Sequence, residues 1–522
     1  MRSYWDHLKS QESQRQTGDS NHPHFRASAL FPVKRTERMS TRLIFLGYWI
    51  LKRSILSIGS VITLRGQSGN ILFRRAEEIN KPKCYRIELD DLLNDCNVSL
   101  QEEFTGSLEI EFFSGKPLIF PYPAVSVNYY GKTFSSIVHT AQRVYNDFED
   151  LKRNETNIVS ESGIDLIDDK GIEPYFAMVN GPLPLDDTLE LLLINKEGGT
   201  LPYKSSLKLN PYETKFFYPK ELMPLKEFLK GGTGTMKIKA PLPWVFPRMV
   251  AGNMEQDPFA KTLTHTYYDS SHSSSPKDYW LPEEEAWHPA ALMLPILVGN
   301  QWTNSISFYP IYSPAPFEIE AQLFDSNGVA VLDKSLFFQH RNESSFARVD
   351  LAPLTRALEN SSSQVYGLRL TARQSGDKPI PARVKVALNI GKRGKLPCNI
   401  CTNLQPYVPA WETKKRAFRW APLLFDQQGA KTIVMHSSPL KDFQEKTVLH
   451  ATFYREKDEA VLIKQIELEP HSFHIFDTQD EELKTFFEGT IGWATFESTN
   501  PYLTTYSFVF HPAGTVGGDH GY

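Results

Sequence analysis

Cysteine is scarce and unevenly placed: the 522 residues hold four, Cys84, Cys96, Cys398 and Cys401. That excludes a regular disulfide framework and suits a reducing compartment. No apolar leader stands in the first 38 residues, which are polar and carry neither the helix nor the strand period; Met39 directly precedes the first apolar run. Residues 1–38 are expected to be a disordered tail or an upstream extension of the reading frame, and the chain is expected to be cytoplasmic. Charge of one sign is not in excess either, with 57 Lys and Arg against 61 Asp and Glu and a net charge of -4. Without a basic stripe interleaved with aromatics, nucleic acid is not an expected partner.

Long uncharged hydrophobic runs are missing as well. The nearest, Leu43 to Leu64, has Lys52 and Arg53 at its centre, where charge in a bilayer is costly, so it reads as two strands and no membrane span is expected. Nucleophile elbows, Walker loops and H-E-x-x-H helices are absent from the sequence. The glycine-rich stretches Gly231 to Thr235 and Gly391 to Lys395 precede no expected helix and read as turns.

What is present is a repeat. Turns flanked by alternating apolar residues centre on Gly69, Gly198, Gly328 and Asp458, spaced 129, 130 and 130 residues apart. Asn327-Gly328 has the strongest hairpin chemistry of the set, because both residues tolerate positive φ. Strand openings at Gly106, Gly234, Gly367 and Gly489 keep the same period, and the segments around Pro211 and Pro470 match at 259 residues, two periods. A fourth landmark falls at the unit ends: His139, His265, Asn399 and His520. Within each unit, short β-branched and aromatic runs alternate between two faces. The expected fold is all-β: four tandem immunoglobulin-like antiparallel β-sandwich modules with short helical turns, the latter at Leu222 to Leu229 and Glu481 to Phe487. The modules are placed at 39–147, 172–270, 290–405 and 418–522, joined by connectors near 148–171, 270–289 and 406–417. They form a string of beads or a compact stack.

Site candidates cluster at the second connector. His265, Asp269 and His272, followed by Glu283, Glu284, Glu285 and His288, could ligate a metal or share acid–base work, with His265, Asp269 and Glu284 the catalytic candidates. Against this, His265 sits on a position also held by His139 and His520, which reads as a structural role at a strand end. Cys398 and Cys401 form one C-x-x-C, but zinc needs two more ligands, and two thiols at a strand end are the plainer reading. No metal or cofactor is therefore expected. Aromatics outside the core frame (Tyr267, Tyr268, Tyr279, Trp280, Trp287, Trp411, Phe418 and Trp420) could anchor one module on the next; Tyr268, Tyr279, Trp280 and Trp287 are the candidates for stacking on a ligand. The functional expectation is a non-enzymatic binding or scaffold protein recognising a glycan or protein partner. Two alternatives stand beside it: a carbohydrate-active or metal-dependent hydrolase at the junction of modules 2 and 3, and a structural protein that forms homo-oligomers through its edge strands or its Gly-rich last strand.

Overall fold

In the computed structural model, the described residues are 25–116, 118, 123–140, 142–145, 160–169, 171–271, 279–280, 290–341, 346–358, 364–374, 380–381, 383–440 and 445–521. They form an all-β protein in which one eight-strand unit occurs four times. In module 1 the strands are Phe25–Arg35, Ser40–Leu46, Ile58–Gly66, Ile71–Ile79, Cys84–Glu88, Phe104–Ser114, Val125–Tyr130 and Ser135–Val138. Numbering them one to eight, the two sheets run 1-6-3-4 and 5-2-7-8, all antiparallel.

Modules 3 and 4 repeat that order strand for strand. Module 3 does so from Ala291–Leu297 to Cys398–Asn403, and module 4 from Ala417–Leu423 to Val516–His520. Module 2 keeps it with a broken first strand (Glu161–Ser162 and Asp165–Ile167) and a broken eighth (Phe259–Lys261 and Thr264–His265). Short helices fall between strands five and six of each unit: Leu89–Asp95, then Pro219–Leu222 with Leu225–Leu229, then Ala352–Thr355 and Glu481–Phe487. Each unit has eight strands in two four-strand sheets. Strands one and two lie in opposite sheets, unlike the first two strands of an immunoglobulin domain, which share one.

Three differences from the sequence reading have physical causes. Residues 25–35, allotted to a structureless tail, form strand one of module 1 and pair with strand six along its whole length. Its centre is buried on both faces, because Phe31 points into module 1 while Leu30 joins the core of module 2, so the alternation that betrays a half-buried strand is lacking. Residues 1–24 of that stretch lie outside the described residues. Similarly, strand one of module 2 falls within the stretch read as a connector, since Gly163, with φ +92°, splits it into pieces too short to show a period. In module 4 the counterpart of Gly106 and Gly234 is Gly492, which sits opposite Arg455 as Gly106 sits opposite Gly66.

The modules close into a ring rather than a string. Strand eight of each unit approaches strand eight of the next, and that of module 4 returns to module 1. In modules 1 and 3 the hairpin between strands three and four seats on the following module: a Cβ on Gly69 would lie 2.0 Å from the carbonyl oxygen of Pro211, and one on Gly328 2.0 Å from that of Pro470. Both glycines have positive φ, so the residue type is required twice over. Two of the landmarks that revealed the repeat are thus joints of the ring, whereas a Cβ on Gly198 would meet nothing within 4 Å. Closure from module 4 to module 1 is polar at its outer side, where Lys83 donates to the Glu456 carbonyl and Arg86 meets the Glu456 carboxylate at 2.9 Å. Deeper in, the buried Arg42 holds Asp426 through two contacts of 2.7 and 3.2 Å. One hydrophobic cluster runs through modules 1 and 4, and another joins module 3 to Ile433, Met435, Tyr506 and Phe508 of module 4.

Candidate functional site

Where the four eighth strands converge, a cavity of about 640 Å³ opens on the axis, with every module contributing wall. Module 1 supplies Tyr48, Pro123, Ala124, His139 and Thr140; module 2 supplies Phe246, Arg248, His265, Tyr267 and Tyr268. Module 3 contributes Lys385, Cys401, Thr402 and Asn403, and module 4 Phe418, Trp420 and His520. The residues arrive there through strand register. His139 directly follows strand eight of module 1, His265 pairs opposite Val250 in module 2, and His520 opposite Tyr506 in module 4.

The three imidazoles stand together. His139 lies with its ring centroid 5.0 Å from that of His265 and 4.6 Å from that of His520, and one nitrogen of each ring falls within 4.8 Å of the other two. Each Nδ1 faces an oxygen: the Asp519 carboxylate for His139, the Thr266 carbonyl for His265 and the Gly521 carbonyl for His520, all at 2.9 Å. Carbonyls and carboxylates only accept, so Nδ1 carries a proton in all three rings. Nε2 of His265 is buried with no hydrogen-bond partner among the described residues. Burial, together with the neighbouring imidazoles, holds His265 well below the usual histidine range and His520 down at about 4. Both are neutral at physiological pH.

Beyond the histidines lie two buried cations. The Arg248 guanidinium stacks over the Tyr267 ring at 4.4 Å, and its Nε stands 3.6 Å from Glu161, with no hydrogen-bond partner among the described residues. Lys385 donates to Ser162 Oγ at 3.0 Å and to the Tyr268 carbonyl at 2.7 Å, and burial brings its pKa down to about 8. Glu161 is buried, raised above the ordinary carboxylate range by desolvation, and accepts from Thr266 Oγ1 at 2.6 Å. Through Thr266 this carboxylate is linked to the residue that orients His265. Aromatic rings line the cavity as well, Trp420 lying 4.8 Å from Tyr48 and 5.2 Å from Phe418.

Of the sequence candidates, His265 and Tyr268 reach this cavity, and so do Tyr267, Phe418 and Trp420. Asp269 turns to Lys237 at 3.4 Å and to Ser271 at 3.0 Å, so it serves to fix the segment after His265. Cys398 and Cys401 are free thiols on one strand at odd separation, hence on opposite faces; burial pushes Cys398 up to about 12 and Cys401 to about 11. Asn399 bonds Asn389 at 2.9 Å and Tyr309 at 3.3 Å, so module 3 sends no counterpart of the three histidines from that position. Trp411 packs 5.7 Å from Tyr502. Tyr279 and Trp280 form a two-residue strand against Ile380–Pro381, and their side chains lie outside the described residues, as do His272, Glu283, Glu284, Glu285, Trp287 and His288. Arg248 and Lys385 carry no motif and escape a sequence reading. His139 and His520 were visible as repeat positions, and the repetition that argued for a structural role is what brings them to a common axis.

No protein-family model and no curated protein matches the chain. Among solved structures, a tetra-tandem repeat from the extending region of a large adhesion protein aligns at 8% identity over 95% of this chain and 98% of that one, with a TM-score of 0.08. At that score the two shapes do not correspond. Among the described residues no helix is long and apolar enough to cross a membrane.

Proposed function

We propose that this protein is a non-enzymatic binding protein whose four sandwiches enclose a central site for a small anionic ligand with a flat ring face, the carboxylated sugars being the favoured class. The observation that carries this reading is the pair of buried cations, Arg248 and Lys385, lining a cavity together with Trp420, Tyr48 and Phe418. Arg248 is paired with Glu161 at 3.6 Å but its Nε makes no hydrogen bond among the described residues, and an anionic ligand beside the two cations would add charge-assisted contacts. Aromatic faces give the ligand's ring a stacking surface, and a volume of about 640 Å³ matches that of a small-molecule pocket. The same residue types kept the glycan among the expected partners.

The test is calorimetric titration of the full chain with a panel of neutral and carboxylated mono- and disaccharides and small aromatic acids. Binding of an acidic member, weakened at least about tenfold by Arg248→Gln and by Trp420→Ala, supports the reading. Equal affinity for neutral and acidic members, or no effect of either variant, overturns it.

A further inference from the structure

We propose that His139, His265 and His520 form a binding site for a divalent transition-metal ion of the zinc type, with its open coordination position facing the central cavity. Three neutral imidazoles are a complete protein ligand set for such a metal, which leaves the fourth position to water or a bound anion. The hydrogen bonds already described are what a metal-binding histidine needs. Each ring is fixed by an oxygen at Nδ1, which leaves Nε2 for the metal, and the His139–Asp519 contact is the carboxylate–histidine arrangement that raises ligand basicity.

A purely structural role accounts less well for the same facts. Packing alone does not require three imidazoles, drawn from three modules, to converge with nitrogens inside 4.8 Å. Nor does it explain an acceptor, Nε2 of His265, buried without a hydrogen bond. Around a tetrahedral zinc, nitrogens at 2.0–2.1 Å from the metal stand about 3.3 Å apart, so the rings would draw together on loading. Thr266 ties the site to Glu161 and so to Arg248, and the histidines line the same cavity as both cations.

The site is independent of the ligand reading, because the metal alone is the probe. The chelator-treated full chain is titrated with zinc by calorimetry and with cobalt(II) by visible absorption. About one ion per chain is expected, with the intense visible bands of a four- or five-coordinate cobalt ion and no thiolate-to-metal band. His265→Ala and His520→Ala should each abolish binding, Asp519→Asn should weaken it by about 10–100-fold, and Cys398→Ser, outside the cavity lining, should leave it unchanged. A folded chain that takes up neither ion overturns the proposal. So does a thiolate band, or binding that survives the loss of both His265 and His520. Should a histidine variant fail to fold by circular dichroism, the cobalt spectrum of the unaltered chain decides alone. A failed saccharide screen leaves these outcomes readable, and an absent metal leaves the anion reading standing.

Discussion

Each module has two contrasting sheet edges, and the ring treats them in opposite ways. Strand eight is turned to the axis and covered by its counterparts from neighbouring modules, whereas strand four faces outward and stays open. The outward strands alternate exposed and half-buried residues, as in Val461–Leu468, and carry charge at intervals: Arg74, Arg75, Glu77 and Glu78 in module 1, Lys204 and Lys208 in module 2. Charge on an open edge discourages pairing with another chain. Where strand eight of module 4 meets that of module 1 it carries glycine instead, because the backbones approach closely: a Cβ on Gly517 would lie 1.8 Å from the Ser135 carbonyl oxygen. One fold thus solves the edge problem twice, by charge where the edge is free and by closure where it is not.

That contrast can be broken most severely at the axis. Gly517→Val should prevent module 4 from closing on module 1, costing more than about 4 kcal/mol and enlarging the chain in small-angle scattering. An unchanged radius and melting point would mean that the axial approach is not needed for the fold. Next, Asp426→Ala removes the nearer carboxylate of the buried Arg42, leaving Glu88 at 3.7 Å, and should cost about 3 kcal/mol in denaturant unfolding, while removing the exposed Arg416–Glu497 pair should cost less than about 0.5 kcal/mol. Comparable losses would refute the distinction between inner and outer contacts.

Acid sharpens the comparison at the joint of modules 3 and 4. Burial lowers His436 and His471 to about 4, with Arg369 and His436 adding to the effect at His471. His436 Nδ1 also accepts from the His471 backbone N–H at 3.2 Å, a bond that protonation breaks. Folded pKa values below the unfolded one mean that the unfolded chain takes up protons first, so stability should fall as pH drops from about 6.5 towards 4, by at most about 3 kcal/mol per histidine. The His436→Asn/His471→Asn double variant should flatten that fall in urea-unfolding curves, and an unchanged slope would exclude these two residues as its source.

A smaller effect, in which the substitution stabilises, is expected where modules 1 and 2 meet. Lys261 is buried 3.8 Å from the Tyr175 ring centroid and 5.4 Å from that of Tyr129, and burial drives its pKa well down. Stability at this position is lost as pH falls below the unfolded lysine value of about 10.4. Lys261→Met should therefore stabilise the chain at neutral pH by about 1–2 kcal/mol in thermal unfolding. Destabilisation would mean that the ammonium and its aromatic cage contribute more than burial costs. The smallest effect belongs to the outer edge, where Ile463→Thr should change stability by less than about 0.5 kcal/mol.

The outward half of each module was legible in the sequence because it alternates. Hairpins at Gly69, Gly198 and Gly328 could be placed to the residue, and all three glycines have positive φ. The inward half was harder to read. Strands such as Ser40–Leu46 and Ala291–Leu297 are buried along their whole length, so nothing in their pattern says which face meets its own module and which meets the next. Spacing shows that a unit recurs, but not that the fourth copy meets the first. For that reason His139 and His520 registered as a repeated position and not as neighbours, and Arg248 and Lys385 did not register at all.

His139 and Asp519 touch across 380 residues of chain. Modules emerge from the ribosome in order and tend to fold as they emerge, but contacts this remote form only at the end. The cavity therefore has no partial version: a nascent chain of three modules has neither the histidine cluster nor the Trp420 wall. Until module 4 arrives, Ser135–Val138 lacks the cover of Val516–His520, and the interval between the synthesis of the first module and the last is when this chain is most exposed to pairing with the wrong strand.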